Sequence, residues 1–374
     1  MEENERYGQR QLLSLGAAAV LSPALRLYPT ASVRLAGRGA WLSPLCCLPP
    51  LLLYAWLYAR LIDRRREGEG LAELMLRSLG DRAGKAALLL YGLWLLLYAG
   101  FVLRAGAGRF VVALFPRSTP LLFVISLGLL SLLASLSPPR ALVRTARMLL
   151  PVLMGVLLLL LLVSLRQAEA DNLLPLTGED ALPVLAGALP VAEVLLLGLY
   201  APGFLLGGVG RRRGSFGALA YWLLGLALLL TALCAAVLGA LGAEITARLS
   251  LPFFTLVRNL VFFRTLERME ALVVALWLFP DFLLSALALF GAQHCLRLLA
   301  GAAPSCGEGR LGDLTNRRWM IWLGGAAAIA AGLLLAPDDA ALTLWSERII
   351  PIGQAAAAGM IPIIYMVGTR KHRL

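Results

Sequence analysis

The sequence predicts an all-α integral membrane protein with about ten transmembrane helices. Three observations lead there. Of 374 residues, 60% are hydrophobic and 15% charged, and the mean hydropathy is +0.80, more apolar surface than a water-soluble domain can hide. Apolar runs of about 20 residues recur along the whole chain, each long enough at 1.5 Å per residue to cross roughly 30 Å of hydrocarbon. The 34 Lys and Arg are gathered in short blocks between those runs. The net charge of +12 and the pI near 10.1 therefore report topology first, and nucleic acid is not an expected partner.

Taken in order, the spans are expected near residues 11–28, 42–60, 86–103, 119–137, 148–165, 188–208, 218–242, 271–294, 319–336 and 346–367, in one polytopic domain covering 1–374. With the N-terminus inside, the cytoplasmic segments hold about twice as many Lys and Arg as the outer ones. Arg64-Arg65-Arg66 and Arg211-Arg212-Arg213 lead that excess, and Arg370, Lys371 and Arg373 agree with it. Both termini are predicted to be cytoplasmic. The fifth-to-sixth connection, with Glu169, Asp171, Glu179 and Asp180, and the ninth-to-tenth, with Asp338 and Asp339, suit the outer side. The opening MEENERYGQR is acidic and mixed, and no small-residue cleavage site follows the first apolar run, so the first span is expected to be retained.

Residue types narrow the function. Cys46, Cys47, Cys234, Cys295 and Cys306 lack metal-ligand spacing and read as small buried hydrophobes. With only His294 and His372 present, a His-based metal site or catalytic triad is excluded as an expectation. No nucleophile stands with a base, so the chain does not read as an enzyme and no cofactor is expected.

Small and helix-breaking residues inside a span release backbone groups that need partners, and such places are site candidates. The first span, LSLGAAAVLSP, holds Gly16, Ala17, Ala18, Ala19 and Pro23, and the sixth, AEVLLLGLYAPG, holds Gly198, Pro202 and Gly203. The two lie five helices apart. Interrupted helices at corresponding places in two five-helix halves point to an inverted-repeat transporter fold with a midplane site. A generic bundle with kinks at Pro151, Pro280, Pro351 and Pro362 is the alternative.

Acids inside spans add functional candidates. Glu193 is flanked by apolar residues; it either serves a site, sits near the outer interface, or pairs with an arginine such as Arg104. Asp281, after Pro280, reads equally as a cation or proton site and as a structural pair, with Ser285 four residues on along the same helix face. Tyr91 and Tyr98 share a face of the third span with Trp94 and Leu95 close by, lining a pocket or packing on a neighbour. The run Glu267-Arg268-Met269-Glu270 reads as structural.

Several motifs together carry a family resemblance. LPFFTLVRNLVFFRTLERMEALVVALWLF, through Pro252, Arg258, Arg268, Glu270, Ala271 and Trp277, resembles the pattern of the spore germination B-subunit family, GerAB-type. In order along the chain, Gly16 to Pro23, AGRGAWLS through Trp41, VLRAGAGRFVVALFPRSTPL through Arg104, Thr119 and Pro120, and NLLPLTGEDALPVLAGAL through Asn172 and Pro175 resemble other stretches of that family. Glu193 falls where members commonly carry a sixth-helix glutamate. Gly39 departs from the pattern, standing where an acid is frequent, and Asp281 is not part of it.

The resemblance implies the fold of the amino acid, polyamine and organocation transporter superfamily: a LeuT-like 5+5 inverted repeat with broken first and sixth helices, here about 11–165 and 188–367. It also implies a place in the spore inner membrane, a larger A subunit and a lipoprotein C subunit as partners, and nutrient sensing that starts germination. On that basis a small nutrient, an amino acid, is expected between the first and sixth helices. Freed amides at Gly16, Ala17, Ala18 and Ala19 would hold its carboxylate. Tyr98 and the segment from Leu196 to Tyr200 would meet its side chain, and Glu193 its ammonium. The alternative is an autonomous amino acid transporter coupled to H⁺ or Na⁺, with Asp281 and Ser285 serving the ion.

Overall fold

The computed structural model describes residues 7–26, 28–115, 117–210, 214–259, 270–301 and 318–371. Helices α1 (Gln9–Arg26), α2 (Tyr28–Ala36), α3 (Ser43–Cys46) and α4 (Leu48–Asp63) cover the first two predicted spans, with a 3-10 segment at Gly37–Leu42. A short helix, α5 (Leu71–Leu79), precedes α6 (Asp81–Leu114), α7 (Pro120–Leu136) and α8 (Pro139–Leu165). The second half begins with α9 (Ala181–Tyr200), which passes into a 3-10 segment at Ala201–Gly208, followed by α10 (Ser215–Arg248), α11 (Pro252–Asn259) and α12 (Glu270–Leu299). The last elements are α13 (Arg318–Leu335), α14 (Asp339–Leu344), a π turn at Trp345–Ile349, and α15 (Ile350–Lys371). Among the described residues there is no strand, only a single bridge between Tyr7 and Val209.

Local chemistry sets the boundaries. Pro120 and Pro139 open their helices, where a missing N–H costs nothing. The Asp338 carboxylate accepts from the Ala341 amide at 2.7 Å and caps α14. Gly242, at φ 73°, breaks the regular geometry of α10 near its end, a conformation that costs glycine little. In α9 the change of geometry follows from Pro202, which has no N–H to donate.

Every predicted apolar run falls in a helix. Among the described residues, seven segments are long and apolar enough to cross a membrane: Tyr28–Asp63, Asp81–Leu114, Pro139–Leu165, Gly178–Gly208, Ser215–Arg248, Leu272–Leu299 and Asp339–Val367. Pro120–Leu136 and Trp322–Leu335 are apolar but shorter, and α1, with Gln9, Arg10, Gln11 and Arg26 at its ends, falls below the same hydropathy. Two helices run further than the charges suggested. In α8, Arg140, Arg144 and Arg147 ride exposed along one helical face instead of forming a loop. In α6, Arg104 and Arg109 are buried in protein, so charge does not end the helix.

The long helices α6 and α12 share the most extensive contact in the bundle, and α1 packs against α8, α9 and α12. Leu121, Leu122, Leu129 and Leu130 of α7 and Leu158, Leu159 and Leu162 of α8 are exposed, leucine-rich faces that suit lipid and not water. Small residues allow the closest crossings. A Cβ on Gly16 would stand 2.3 Å from the Gly198 carbonyl oxygen, so α1 and α9 touch backbone to backbone. Gly100 and Gly332 bring α6 and α13 together in the same way.

Gly16→Ala is therefore expected to force α1 from α9 and to lower the Tm in detergent, at an overpacking cost of about 1–3 kcal/mol. Gly155→Ala on α8, where the added methyl meets open space, serves as the control. Equal melting of the two variants would remove the crossing from the account of stability.

Candidate functional site

Apolar helices bring a cluster of charged side chains together inside this bundle. Arg109 of α6 is ion-paired with Asp281 of α12, their side chains 6% and 4% exposed. Ser22 of α1 donates to the other carboxylate oxygen of Asp281 at 2.5 Å. The Arg109 guanidinium also lies 5.7 Å from the Trp277 ring centroid. Ser285 donates to the Asp281 carbonyl and lies 2.7 Å from the hydroxyl of Ser131 on α7. Gly106 leaves room for this pair, since a Cβ there would stand 2.8 Å from Asp281 Oδ2.

One helical turn beyond Ser22, Arg26 sits 5.0 Å over the Phe101 ring and donates to Ser346 Oγ at 3.2 Å. It interacts electrostatically with Glu193 of α9, yet the two do not reach ion-pair distance. Glu193 makes no hydrogen bond or ion pair among the described residues. Both side chains are partly exposed, although Tyr98 and Tyr200, which also feel the Glu193 charge, are fully enclosed. Glu193 is therefore a partly exposed acid beside buried aromatics. Tyr98 stacks at 5.9 Å on Trp94, Tyr200 is hydrogen-bonded to Gln354 of α15, and Gln354 Nε2 is a buried donor without a partner.

The sequence-predicted site residues divide accordingly. Tyr98, Glu193, Leu196 and Tyr200 all lie on α6 or α9, and Tyr98, Glu193 and Tyr200 come together near Arg26. Gly16, Ala17, Ala18 and Ala19 do not form the expected break. They lie inside α1, which is helical from Gln9 to Arg26, so their amides are engaged in the helix, and Gly16 serves the crossing with Gly198. Ala18 and Ala19 share the face of Ser22. Arg104 does not pair with Glu193: its Nε donates to Ala336 O at 2.8 Å and it reaches Asp339 at 3.4 Å. Asp281 and Ser285 are in one place, but with its oxygens engaged by Arg109 and Ser22 the acid is already neutralised. Of the two readings the sequence left open for Asp281, that geometry matches the structural pair.

Sequence reading missed Ser22, Arg26, Arg109 and Gln354. Ser22 and Arg26 stand four residues apart and so on one face, a signal that was present. Arg109 lay beyond the assumed end of its span. Of the cysteines, Cys46, Cys47, Cys234 and Cys295 are free thiols, the last three buried, while Cys306 and residues 267–269 lie outside the described residues. Among the described residues no group of three His, Cys, Asp or Glu is placed to hold a metal.

A second polar locus closes the far end of α12. Glu73 of α5 meets His294 at 2.7 Å and accepts from the Gly70 amide at 2.8 Å. Burial pushes the Glu73 carboxyl up, but the His294 hydrogen bond and charge and the amides of Glu73 and Gly70 outweigh it and hold it below its ordinary value of 4.5. Nearby, Tyr7 donates to Leu205 O, Arg65 to Val209 O and, at 3.3 Å, to Gly210 O, so the 3-10 extension of α9 is gripped by backbone-directed donors.

Two outcomes follow. Asp281→Asn leaves Arg109 as a buried charge without a counter-charge, at an expected cost of about 3–5 kcal/mol seen as lost Tm and folded yield. Adding Arg109→Met should recover most of it, and a double variant no better than the single would refute the pairing. For Glu73 the depressed folded pKa means that its stabilisation is present above the unfolded value and is lost as pH falls through the folded one. Between neutral pH and pH values below 4.5 the wild type should lose more Tm than Glu73→Gln; parallel losses would show that the carboxylate carries no such linkage.

The comparisons with known proteins bear on this geometry directly. No curated protein matches the chain. The family model described as spore germination protein matches residues 9–302, a stretch that holds Ser22, Arg26, Tyr98, Arg109, Glu193 and Asp281. The chain belongs to the spore germination protein family, as a membrane-embedded, permease-like member.

Proposed function

We propose that this chain is the nutrient-sensing membrane subunit of a spore germinant receptor, that its nutrient is an amino acid, and that the site lies between α1, α6 and α9. One observation carries the reading: Glu193 is an acid inside an apolar segment, partly exposed, without a hydrogen bond among the described residues, and beside enclosed aromatics. An intramembrane acid left in that condition is suited to a cationic group from outside the protein. Glu193 receives the ammonium, Tyr98, Leu196 and Tyr200 bound the side chain, and Gly16, Ala17, Ala18 and Ala19 hold α1 close enough to α9 to form the floor.

The proposed architecture is ten spans in two inverted five-helix repeats, about 11–165 and 188–367. The contact between Gly16 and Gly198, on the first and sixth predicted spans, supports it, as does the change of geometry in α9 at Ala201. The proposed setting is the spore inner membrane with both termini cytoplasmic, the leucines of α7 and α8 against lipid, and a receptor A subunit and C lipoprotein as partners. Binding acts by favouring one arrangement of the repeats, which requires different affinity for the two. Ion-coupled transport by the chain alone is the weaker reading, because the acid assigned to the ion, Asp281, is engaged by Arg109.

Thermal shift of the purified protein against the twenty amino acids, with nucleosides and sugars as controls, tests this. A bound ligand raises Tm with ln(1 + [L]/Kd). One amino acid class should stabilise the wild type and fail to stabilise Glu193→Gln, while the variant still inserts and folds. Equal shifts in both proteins would remove Glu193 from the site, and no shift in the wild type would remove the site itself.

A further inference from the structure

The charges around the site balance in an uneven way. Arg109 and Asp281 neutralise each other in direct contact, which leaves Arg26 and Glu193 as a second pair of opposite sign. In a low-dielectric interior such a pair gains most by closing. This one stays open. Arg26 is held on its own side by the Phe101 ring and by Ser346, at the start of the segment leading into α15, while Glu193 projects from α9. Both are partly exposed, and Tyr98 lies within electrostatic reach of each.

We propose that Arg26 receives the carboxylate of the molecule whose ammonium Glu193 receives, which makes the site selective for zwitterions. An α-amino acid would bind in preference to the amine or the carboxylic acid with the same side chain. This rests on the nutrient-site reading above and adds to it the residue that rejects amines. An amine would neutralise Glu193 but leave Arg26 facing a second cation, and a carboxylic acid would leave Glu193 facing a second anion. Arg26 also supplies the carboxylate partner that the helical amides of Gly16 to Ala19 do not.

The test uses matched triples on the purified full chain: L-alanine, ethylamine and propionate; L-leucine, isoamylamine and 4-methylpentanoate; L-phenylalanine, phenethylamine and 3-phenylpropionate. Titrations are followed by Tm in wild type, Arg26→Gln, Arg26→Lys and Glu193→Gln. In the wild type one amino acid should bind at least about tenfold more tightly than its amine and its acid. Arg26→Gln should weaken that amino acid by about ten- to a hundredfold, the range for a lost hydrogen bond to a charged group, and should equalise or reverse its preference over the amine. Arg26→Lys should keep part of the preference. A role confined to anchoring Ser346 would weaken amine and amino acid alike. An amine that binds wild type as tightly as its amino acid, or a preference undiminished in Arg26→Gln, overturns the role of Arg26 while a loss in Glu193→Gln still upholds the site. No response to any triple overturns both.

Discussion

The ion pair between Arg109 and Asp281 is the constraint on which the rest of this bundle depends. A charge in a membrane interior cannot be left to water, so its partner dictates which helices stand side by side. Here the pair joins α6 to α12, and the Ser22 hydroxyl adds α1 to the same carboxylate. The longest helical contact of the fold follows from this, as does the small residue at Gly106 that lets the acid approach. Trp277, under the Arg109 guanidinium, shows that part of the 251–279 motif supports this pair from below. The pair therefore acts as scaffold, and the chemistry open to a ligand falls to the charges it leaves over.

Those charges are Arg26 and Glu193. Arg26 follows Ser22 by one turn, so the hydroxyl that fixes α1 on Asp281 also fixes where the guanidinium stands. Glu193 is positioned from the other side by α9, whose closeness to α1 is set by Gly16 and Gly198. The distance between the two charges is thus a product of packing far from either side chain. On the proposed reading, sensing and stability share residues at the α1–α9 crossing and separate at Glu193, whose carboxylate makes no hydrogen bond or ion pair among the described residues.

Much of this fold was legible in the sequence because lipid imposes one rule, satisfaction of backbone groups within apolar helices, and run length reports it. The predicted runs fall in helical segments; Glu193 stood out as an acid inside a span and Tyr98 by the face it shares with Tyr91, while Tyr200 entered through the family resemblance. What was not legible has a physical reason in each case. Arginines were read as ends of spans, but Arg104 and Arg109 are buried by a carbonyl and a carboxylate from distant helices, information that is not local. The alanines after Gly16 read as a break because small residues serve equally in broken helices and in tight crossings, and only the neighbour at Gly198 decides between them. Asp281 was ambiguous until its partner, 172 residues away, was in view.

If the chain is the sensor proposed above, the two ends of α9 explain why a pair of charge contacts suits it better than one. At its far end the 3-10 extension is held by Tyr7 and Arg65, and α5, which packs on it, is tied to α12 through Glu73 and His294. On the proposed reading, a ligand drawn to Glu193 pulls on a helix that is clamped elsewhere, and must outweigh that clamp to change the bundle's arrangement. Turning a two-state balance from 1:99 to 99:1 takes about 5.5 kcal/mol of differential binding. A single hydrogen bond to a charged group contributes roughly 1.5–3 kcal/mol. One contact at Glu193 falls short of that threshold, whereas contacts at Glu193 and Arg26 together come close to it. A molecule bearing one charge would then occupy the site without moving it, and only one bearing both would carry enough energy to act on the clamp.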